Sequence, residues 1–346
     1  MFAKIRPALL ACLMTLSVLS GWIRAEIVLV GGFFSGAVDR VNTTTGATTL
    51  FSQVSSGSDA FPGISGLAYN PISNTVYATA RVSKRVYFIN PDSGNVTGFR
   101  QLDSDITPAS IAVDSSGFVY VANNAGNSVV KYDSALNKLQ QLNLPDLGVG
   151  PNLPSGLAFD PQGNLIISTF AGAGVIKYNT ANGSFSSFNS ANPTANGQVA
   201  IDTSGNAYIG GAAFSNSVTK LDTSGTIVGS ITINESLLPK PPQSFASPDF
   251  TSPAGVAIES NGNIVVAALG RTNPFESADN FQINGGVFIF SPAGSLIASK
   301  VQTTPYSSAL SFTAVPEPTS LLAASVGLGA VGWLNRRRRK SKSTES

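Results

Sequence analysis

Short apolar runs recur along the middle of the chain, separated by clusters of Gly, Pro, Asn, Asp and Ser. Within each run apolar residues alternate with polar or small ones, which is typical of β-strands that bury one face. A similar run begins at five places, marked by Leu67, Ile111, Leu157, Val199 and Val256, with spacings of 44, 46, 42 and 57 residues. A period in the low forties is the length of one four-stranded propeller blade, so the pattern predicts an all-β propeller.

Each copy of the repeat divides into the same parts. A first strand is followed by a turn such as residues 160–164 (Asp-Pro-Gln-Gly-Asn), then by a second strand, a variable loop and a third strand. Another turn leads to a less regular fourth strand. In such turns the Asp side chain accepts backbone N–H groups and the Gly adopts a positive φ.

The two ends of the repeat region form one further copy. Residues 27–53 supply strands two to four, and residues 308–312 supply the missing first strand, with Leu310 as the aligned apolar residue. Five whole copies and one split copy predict six blades, closed by pairing of the N- and C-terminal strands so that no sheet edge stays free. A seventh blade within residues 235–252 is an alternative, which the Pro-rich stretch 238–242 disfavours.

Residues 108–133 (PASIAVDSSGFVYVANNAGNSVVKYD) and 154–179 (PSGLAFDPQGNLIISTFAGAGVIKYN) show the repeat most clearly. They resemble the NHL and YVTN families of β-propeller, and we assign residues 26–313 to an NHL-like propeller domain. The resemblance implies the fold and leaves the function open, because propellers serve as enzymes, binding proteins and scaffolds.

Composition excludes several kinds of site. The chain has no histidine, so it cannot contain a Ser-His-Asp triad, a His-ligated zinc ion or a His general base. It has one cysteine and therefore no internal disulfide. Residues 26–315 contain 12 basic and 17 acidic residues, a net charge of −5. We expect no nucleic-acid partner, because phosphate binding needs a clustered basic face.

The N-terminus has the layout of a secretory signal peptide. Lys4 and Arg6 precede an apolar run at residues 8–19, and small residues follow near Ala25, where we expect cleavage. The signal peptide would then comprise residues 1–25. A lipobox around Cys12 is a weaker alternative, because this cysteine comes early and the apolar run continues past it. Removal of residues 1–25 leaves a chain without cysteine, which suits an oxidising compartment.

The C-terminus has three parts in order: Pro316-Glu317-Pro318, an apolar stretch at residues 319–334, and a basic cluster at residues 336–340 that includes Arg336, Arg337, Arg338 and Arg339. The apolar stretch would be ~24 Å long as a helix. It is short for a hydrocarbon core of about 30 Å, but basic residues that reach the interface make the span tolerable. We expect a transmembrane helix with its arginines in the cytoplasm.

This order of parts resembles the PEP-CTERM sorting signal of Gram-negative bacteria, which we place at residues 314–340. The resemblance implies an exosortase partner that removes the tail. It also implies an inner-membrane intermediate and a final place at the cell surface or in the extracellular matrix, in the context of exopolysaccharide and biofilm. The alternative is a permanent membrane anchor that is never cut.

Two long segments, residues 235–252 and 270–285, should lie on the same face of the ring, where binding loops are common. The candidate ligand-binding residues, which combine aromatic rings with amide and charged groups suited to sugars, are Arg271, Phe275, Glu276, Asp279, Asn280 and Phe281. The simpler interpretation, which composition alone favours, is an ordinary loop packed over the channel mouth.

Four acids, Asp114, Asp160, Asp202 and Glu259, recur once per blade and could converge on a central metal. Each is followed three residues later by Gly, so we favour a structural role in a turn. We expect no cofactor. Calcium bound by Glu276, Asp279 and Asp249 is a weaker alternative, because no known calcium-loop spacing is present.

The sequence therefore predicts an exported, non-catalytic propeller that binds a glycan or another envelope component. The alternative is a lactonase- or lyase-like enzyme that depends on a divalent metal. The lyase type with His ligands is excluded by the absence of histidine, whereas ligation by acids and amides remains open.

Overall fold

A computed structural model of the chain describes residues 27–32, 35–43, 47–54, 62–145, 152–170, 174–190, 197–211, 215–234, 251–270, 285–302 and 309–314. The predicted signal peptide at residues 1–25, and residues 315–340 of the predicted sorting signal, lie outside the described residues. Every regular element in the described part of the chain is a β-strand, and the strands form six four-stranded antiparallel sheets. The prediction of a six-bladed all-β propeller is confirmed.

Each sheet is one blade, numbered in chain order. Blade 1 contains β1 (Ile27–Gly32), β2 (Ala37–Asn42) and β3 (Thr48–Gln53). Blade 2 contains β4 (Ile64–Asn70), β5 (Thr75–Ala80), β6 (Arg85–Ile89) and β7 (Val96–Gln101). Blade 3 contains β8 (Pro108–Val113), β9 (Val119–Asn123), β10 (Ser128–Tyr132) and β11 (Lys138–Asn143).

The second half of the ring repeats this arrangement. Blade 4 contains β12 (Pro154–Phe159), β13 (Leu165–Thr169), β14 (Val175–Asn179) and β15 (Ser184–Asn189). Blade 5 contains β16 (Val199–Ile201), β17 (Ala207–Gly210), β18 (Ser217–Leu221) and β19 (Ile227–Thr232). Blade 6 contains β20 (Thr251–Ile258), β21 (Ile264–Gly270), β22 (Gly285–Phe290) and β23 (Leu296–Gln302).

The first strand of blade 1 comes from the far end of the chain. This strand, β24 (Ala309–Ala314), pairs antiparallel with β1, with Val30 opposite Phe312. Leu157 of blade 4 lies opposite Ile167 in the same way, so Phe312 is the equivalent of Leu157. The alignment of Leu310 with this position was therefore wrong by two residues. A shift of two keeps the alternation unchanged, which is why the pattern alone did not reveal it.

Burial decreases from the second strand of each blade outward. All residues of β9 and β13 are buried, whereas β7 in the fourth position is mostly exposed. The buried apolar side chains meet between neighbouring blades: Leu29 and Val38 of blade 1 pack in one cluster with Ile64 and Leu67 of blade 2. Burial of each such side chain contributes about 1.5–3 kcal/mol, so the contacts between blades hold the ring together.

The turns between first and second strands confirm the structural role of three of the four recurring acids. Asp160 Oδ1 accepts the backbone N–H groups of Gln162 at 3.0 Å and Asn164 at 2.8 Å, while Gly163 adopts a φ of +80°. Asp114 and Asp202 bind their own turns in the same way. These carboxylates therefore stabilise turns.

Glu259 holds its turn differently because its side chain is one methylene longer. Its Oε2 accepts hydrogen bonds from the side-chain amides of Asn261 at 3.2 Å and Asn263 at 3.0 Å. The backbone N–H of Asn263 is accepted by Asn261 Oδ1, whereas in blade 4 the equivalent N–H is accepted by the carboxylate of Asp160. Glu259 is 4% exposed, and its Oε1 is buried without a hydrogen-bond partner among the described residues. The expectation of a structural role holds, with a different set of donors.

Asp160 also forms an ion pair within its blade. Lys177 Nζ lies 3.0 Å from its Oδ2, and the Asp160 side chain is only 5% exposed. Burial favours the neutral carboxyl, but hydrogen bonds from Asn164 and Lys177 outweigh that effect and hold the pKa of Asp160 below its usual value.

Substitution of a turn glycine should separate backbone strain from steric overlap. Gly163 and Gly225 adopt φ values of +80° and +86°. A Cβ on Gly163 meets nothing within 4 Å, whereas one on Gly225 overlaps the backbone carbonyl of Phe188. We expect Gly163→Ala to lower the free energy of unfolding by about 1–2 kcal/mol, the cost of a left-handed residue, and Gly225→Ala to lower it at least twice as much. Urea denaturation measures both, and equal losses would contradict the overlap.

Removal of the Lys177 ammonium should make the free energy of unfolding less dependent on pH. A pKa lowered on folding contributes stability that is present above about pH 4 and is lost as the pH falls through the folded-state pKa. We expect Lys177→Met to lower the free energy of unfolding by about 1–3 kcal/mol at pH 7, and by clearly less at pH 2. Urea denaturation at both pH values checks this.

The control for this prediction is Lys138→Met. Lys138 pairs with Asp103 at 3.3 Å, but both side chains are exposed (38% and 63%), so its loss should cost less than about 1 kcal/mol. A pH-independent effect of Lys177→Met, or an equal effect of Lys138→Met, would show that the pair with Asp160 is not the cause.

Candidate functional site

The strand order defines two faces of the ring. The turn face carries the turns that join first to second strands, at residues 71–74, 114–118, 160–164, 202–206 and 259–263. The loop face lies opposite, where second strands end and where the next blade's first strand begins. The ends of β19, β20, β21 and β22 that flank residues 235–250 and 271–284 are at the loop face. This agrees with the prediction that both long segments leave one face of the ring.

The six candidate ligand-binding residues, Arg271, Phe275, Glu276, Asp279, Asn280 and Phe281, lie outside the described residues. Asp249, the third residue of the alternative calcium set, also lies outside them. Within the described ranges, no three acidic or cysteine side chains are grouped closely enough to hold a metal ion. The site prediction therefore stays a prediction.

The centre of the ring contains a side chain that the sequence analysis missed. Gln198 immediately precedes β16 of blade 5, and its Nε2 donates to the backbone carbonyls of Ser65 at 2.9 Å, Ser155 at 3.3 Å and Ala109 at 3.4 Å. Its Oε1 accepts the hydroxyl of Ser110 at 2.6 Å. One amide thus joins blades 2, 3 and 4 to blade 5.

The hydroxyl groups around Gln198 are engaged in the same way. Ser110 Oγ also accepts the backbone N–H of Leu157 at 3.2 Å, and Ser65 Oγ donates to the carbonyl of Pro108 at 3.1 Å. Ser168 Oγ donates to the carbonyl of Gly197. Each of these contacts links one blade to the next. The serine hydroxyl groups at the ring centre are therefore bound to neighbouring strands and are not directed at a ligand.

Glycines allow the innermost strands to approach closely. A Cβ on Gly66 would lie 2.9 Å from Ser110 Cα and 3.0 Å from the backbone N of Ile111. A Cβ on Gly156 would overlap the carbonyl oxygen of Gly197. Between blades 2 and 5 the centre is therefore a neutral network of backbone, hydroxyl and amide groups, which we call the central network.

The described part of the loop face presents a charged group, an amide and an aromatic ring. Arg81, Asn124 and Phe170 each directly follow the second strand of blades 2, 3 and 4. Arg81 Nη2 donates to Asn124 Oδ1 at 2.9 Å, and Asn124 Nδ2 donates to the carbonyls of Leu153 and Pro154, both at 3.2 Å. Burial lowers the pKa of Arg81 below its usual value, yet the guanidinium remains charged.

Phe170 is 44% exposed and adds an aromatic surface to this face. Arg81, Asn124 and Phe170 were not among the candidate residues, which were all taken from the long segment at residues 270–285. The signal that could have found them is their common position, one residue past the second strand in three successive repeats.

No helix in the described ranges has the length and apolar character needed to span a bilayer. The apolar stretch at residues 319–334 lies outside these ranges.

Known proteins resemble this chain in two separate ways. The model of the PEP-CTERM protein-sorting motif matches residues 314–339, which confirms the sorting signal at the expected place. The sequence matches no curated protein.

Several solved structures share the fold at low sequence identity. A protein of unknown function from Bacteroides caccae has a TM-score of 0.60 at 14% identity, covering 85% of this chain and all of its own. A chain of a nidogen/laminin complex has a TM-score of 0.61 at 14% identity, covering 84% of this chain and 98% of its own. The periplasmic gluconolactonase of Pseudomonas aeruginosa has a TM-score of 0.54 at 15% identity, covering 84% and 99%.

At such identities the likeness concerns the fold alone. Together with the strand topology and the matched motif, it identifies the chain as a six-bladed β-propeller that carries a PEP-CTERM sorting motif at residues 314–339.

Proposed function

We propose that this protein is an exported, non-catalytic propeller that binds a glycan or another envelope component through its loop face. The PEP-CTERM motif itself implies export, a membrane-anchored sorting intermediate and processing by an exosortase. Our proposal adds a signal peptide at residues 1–25, a membrane-spanning helix at 319–334 and final release to the cell surface or extracellular matrix.

The observation that carries the binding role is the central network. Gln198 spans four blades, and its amide groups bind backbone carbonyls and the Ser110 hydroxyl. Polar groups engaged in this way are costly to expose and have little capacity left for a substrate. This favours a ligand that binds at a face of the ring over one that reacts at its centre.

The loop face supports a sugar ligand because it combines an aromatic ring with hydrogen-bonding groups. Phe170 offers an exposed ring, and the guanidinium of Arg81 has N–H groups beyond the one that it donates to Asn124. The strand ends that flank residues 271–284, the segment that contains Phe275 and Phe281, are at the same face. Aromatic residues beside charged and amide groups suit a sugar, because one face of a sugar ring is apolar and its hydroxyl groups form hydrogen bonds.

The same topology allows a lactonase as the second candidate, because the fold is shared with a periplasmic gluconolactonase. That role would need a divalent metal held by acids and amides. Metal bound in a 1:1 ratio by the purified protein, together with hydrolysis of a sugar lactone, would favour the enzyme over the binding protein.

Binding of polysaccharide tests the main proposal. The protein purified from the exported fraction of its host is sedimented with the host's own extracellular polysaccharide, once with calcium and once with a chelator. We expect saturable binding. Replacement of both Phe275 and Phe281 by Ala should weaken it about tenfold, since each aromatic contact is worth about 0.5–1.5 kcal/mol.

The matched control is Phe99→Ala, which removes a ring that is 50% exposed on the outer strand β7. It should leave the affinity unchanged. Absence of binding under both conditions, or an equal loss in the control, would reject a loop-face glycan site.

Substitution of Gln198 should affect stability and spare binding. Gln198→Ala leaves the Ser110 hydroxyl without its acceptor, so we expect a loss of about 1–3 kcal/mol in the free energy of unfolding. Gln198→Glu should be worse at pH 7, because a carboxylate would face the carbonyl oxygens of Ser65, Ala109 and Ser155. Protonation near pH 4 should restore part of the loss. Urea denaturation at both pH values measures these effects.

Gln141→Ala, on the exposed outer strand β11, is the control and should be nearly neutral. A Gln198→Glu variant as stable as the wild type would contradict the donor role of the amide. A Gln198 variant that folds normally but no longer binds polysaccharide would place the ligand at the ring centre.

A further inference from the structure

We infer that, in the membrane-anchored sorting intermediate, the propeller lies with its turn face against the bilayer surface and its loop face directed away from it. The inference rests on the anchored intermediate of the proposed function. It assigns the turn face an interaction with the lipid headgroup layer.

The first observation is the point where the chain leaves the ring. β24 ends at Ala314, which lies opposite Val28 near the start of β1. In the complete blades the equivalent place is the turn between first and second strands, such as residues 160–164. The C-terminal tail and the N-terminal segment therefore both leave from the turn face.

The second observation is the short distance to the predicted membrane span. The sorting motif matches from residue 314, the last residue of β24, so the fold and the motif adjoin without a linker. Only residues 315–318 separate Ala314 from the apolar stretch that starts at Thr319. The five Cα–Cα steps from Ala314 to Thr319 reach at most about 18 Å when fully extended, and about 16 Å in the polyproline conformation that the two prolines among them favour.

The height of a blade excludes the opposite orientation. The strands β9, β5 and β20 have five, six and eight residues and span ~17, ~20 and ~26 Å. To bring the loop face to the membrane, the tail would have to run the full height of the blade before entering the bilayer. A reach of about 16–18 Å equals only the shortest of these strands and leaves no length for the turns and loops beyond the strand ends, so the turn face is the near face.

The chemistry of the turn face suits contact with headgroups without insertion. The carboxylates of Asp114 and Asp202, and that of Asp222 between the third and fourth strands of blade 5, bind their own turns, and the apolar side chain of Ile72 is 64% exposed at the turn of blade 2. A face rich in carboxylates is repelled by anionic lipid. We therefore expect contact with zwitterionic headgroups.

This orientation has a consequence for the ligand. The ends of the strands that flank residues 235–250 and 271–284 point away from the membrane. A ligand outside the inner membrane would thus reach the loop face before the tail is cut as well as afterwards.

A matched pair of single cysteines tests the orientation. Ile72 on the turn face and Val82 on the loop face belong to the same blade, next to blade 1, and are 64% and 60% exposed. Each is replaced by Cys in the full chain with Cys12→Ser, produced in a host without exosortase activity, and is labelled with a fluorophore. The protein is reconstituted into phosphatidylcholine vesicles in which both leaflets contain a spin label on the headgroup.

We expect the spin label to quench the fluorophore at Ile72→Cys several-fold more strongly than the one at Val82→Cys. Equal or reversed quenching in protein that floats with the vesicles would overturn the orientation. Failure of the full chain to float with vesicles would instead reject the membrane anchor on which the inference rests. Soluble protein lacking residues 315–346 is the control, and neither of its sites should be quenched.

Discussion

Residues 309–314 complete blade 1 by pairing with β1, and this contact closes the ring. Without β24 the ring would end in exposed apolar surface on blade 1 and an unpaired edge on β1. The apolar clusters between blades then form a closed series in which each blade is held by two neighbours. The ring is therefore stabilised by a closed series of apolar contacts between neighbouring blades and not by one central core.

Inside this ring, the polar groups that stabilise the fold form two sets, one with partners in other blades and one with partners in the same turn. Gln198 and the serine hydroxyls around it bind backbone groups of other blades, whereas the turn aspartates bind backbone groups of their own turns. Both sets hold the fold together. On the loop face, by contrast, the ring of Phe170 is exposed and the guanidinium of Arg81 donates to Asn124. The two faces thus differ in chemistry although the blades are alike in fold.

The sequence was most informative where the structure is local and repeated. Asp160 and Gly163 belong to one turn, and the same pair recurs in neighbouring copies, so both the blade length and the role of the acid could be predicted. Gln198 could not be predicted, because its partners Ser65 and Ser155 are 133 and 43 residues away and no other repeat has such an amide. The aligned position of β24 was assigned to Leu310 and lies two residues later at Phe312, because a strand shifted by two looks the same in a pattern of period two.

The split blade also determines when the propeller ring can close during folding. β1 belongs to the first strands to emerge during export and β24 to the last, so blade 1 stays incomplete until almost the entire chain has crossed the membrane. Contacts that join distant parts of a chain form slowly, because the loop between them must first be closed. Since the sorting motif follows β24 directly, the strand that closes the ring is also the last strand before that motif, and blade 1 cannot be completed until the chain has emerged as far as the motif.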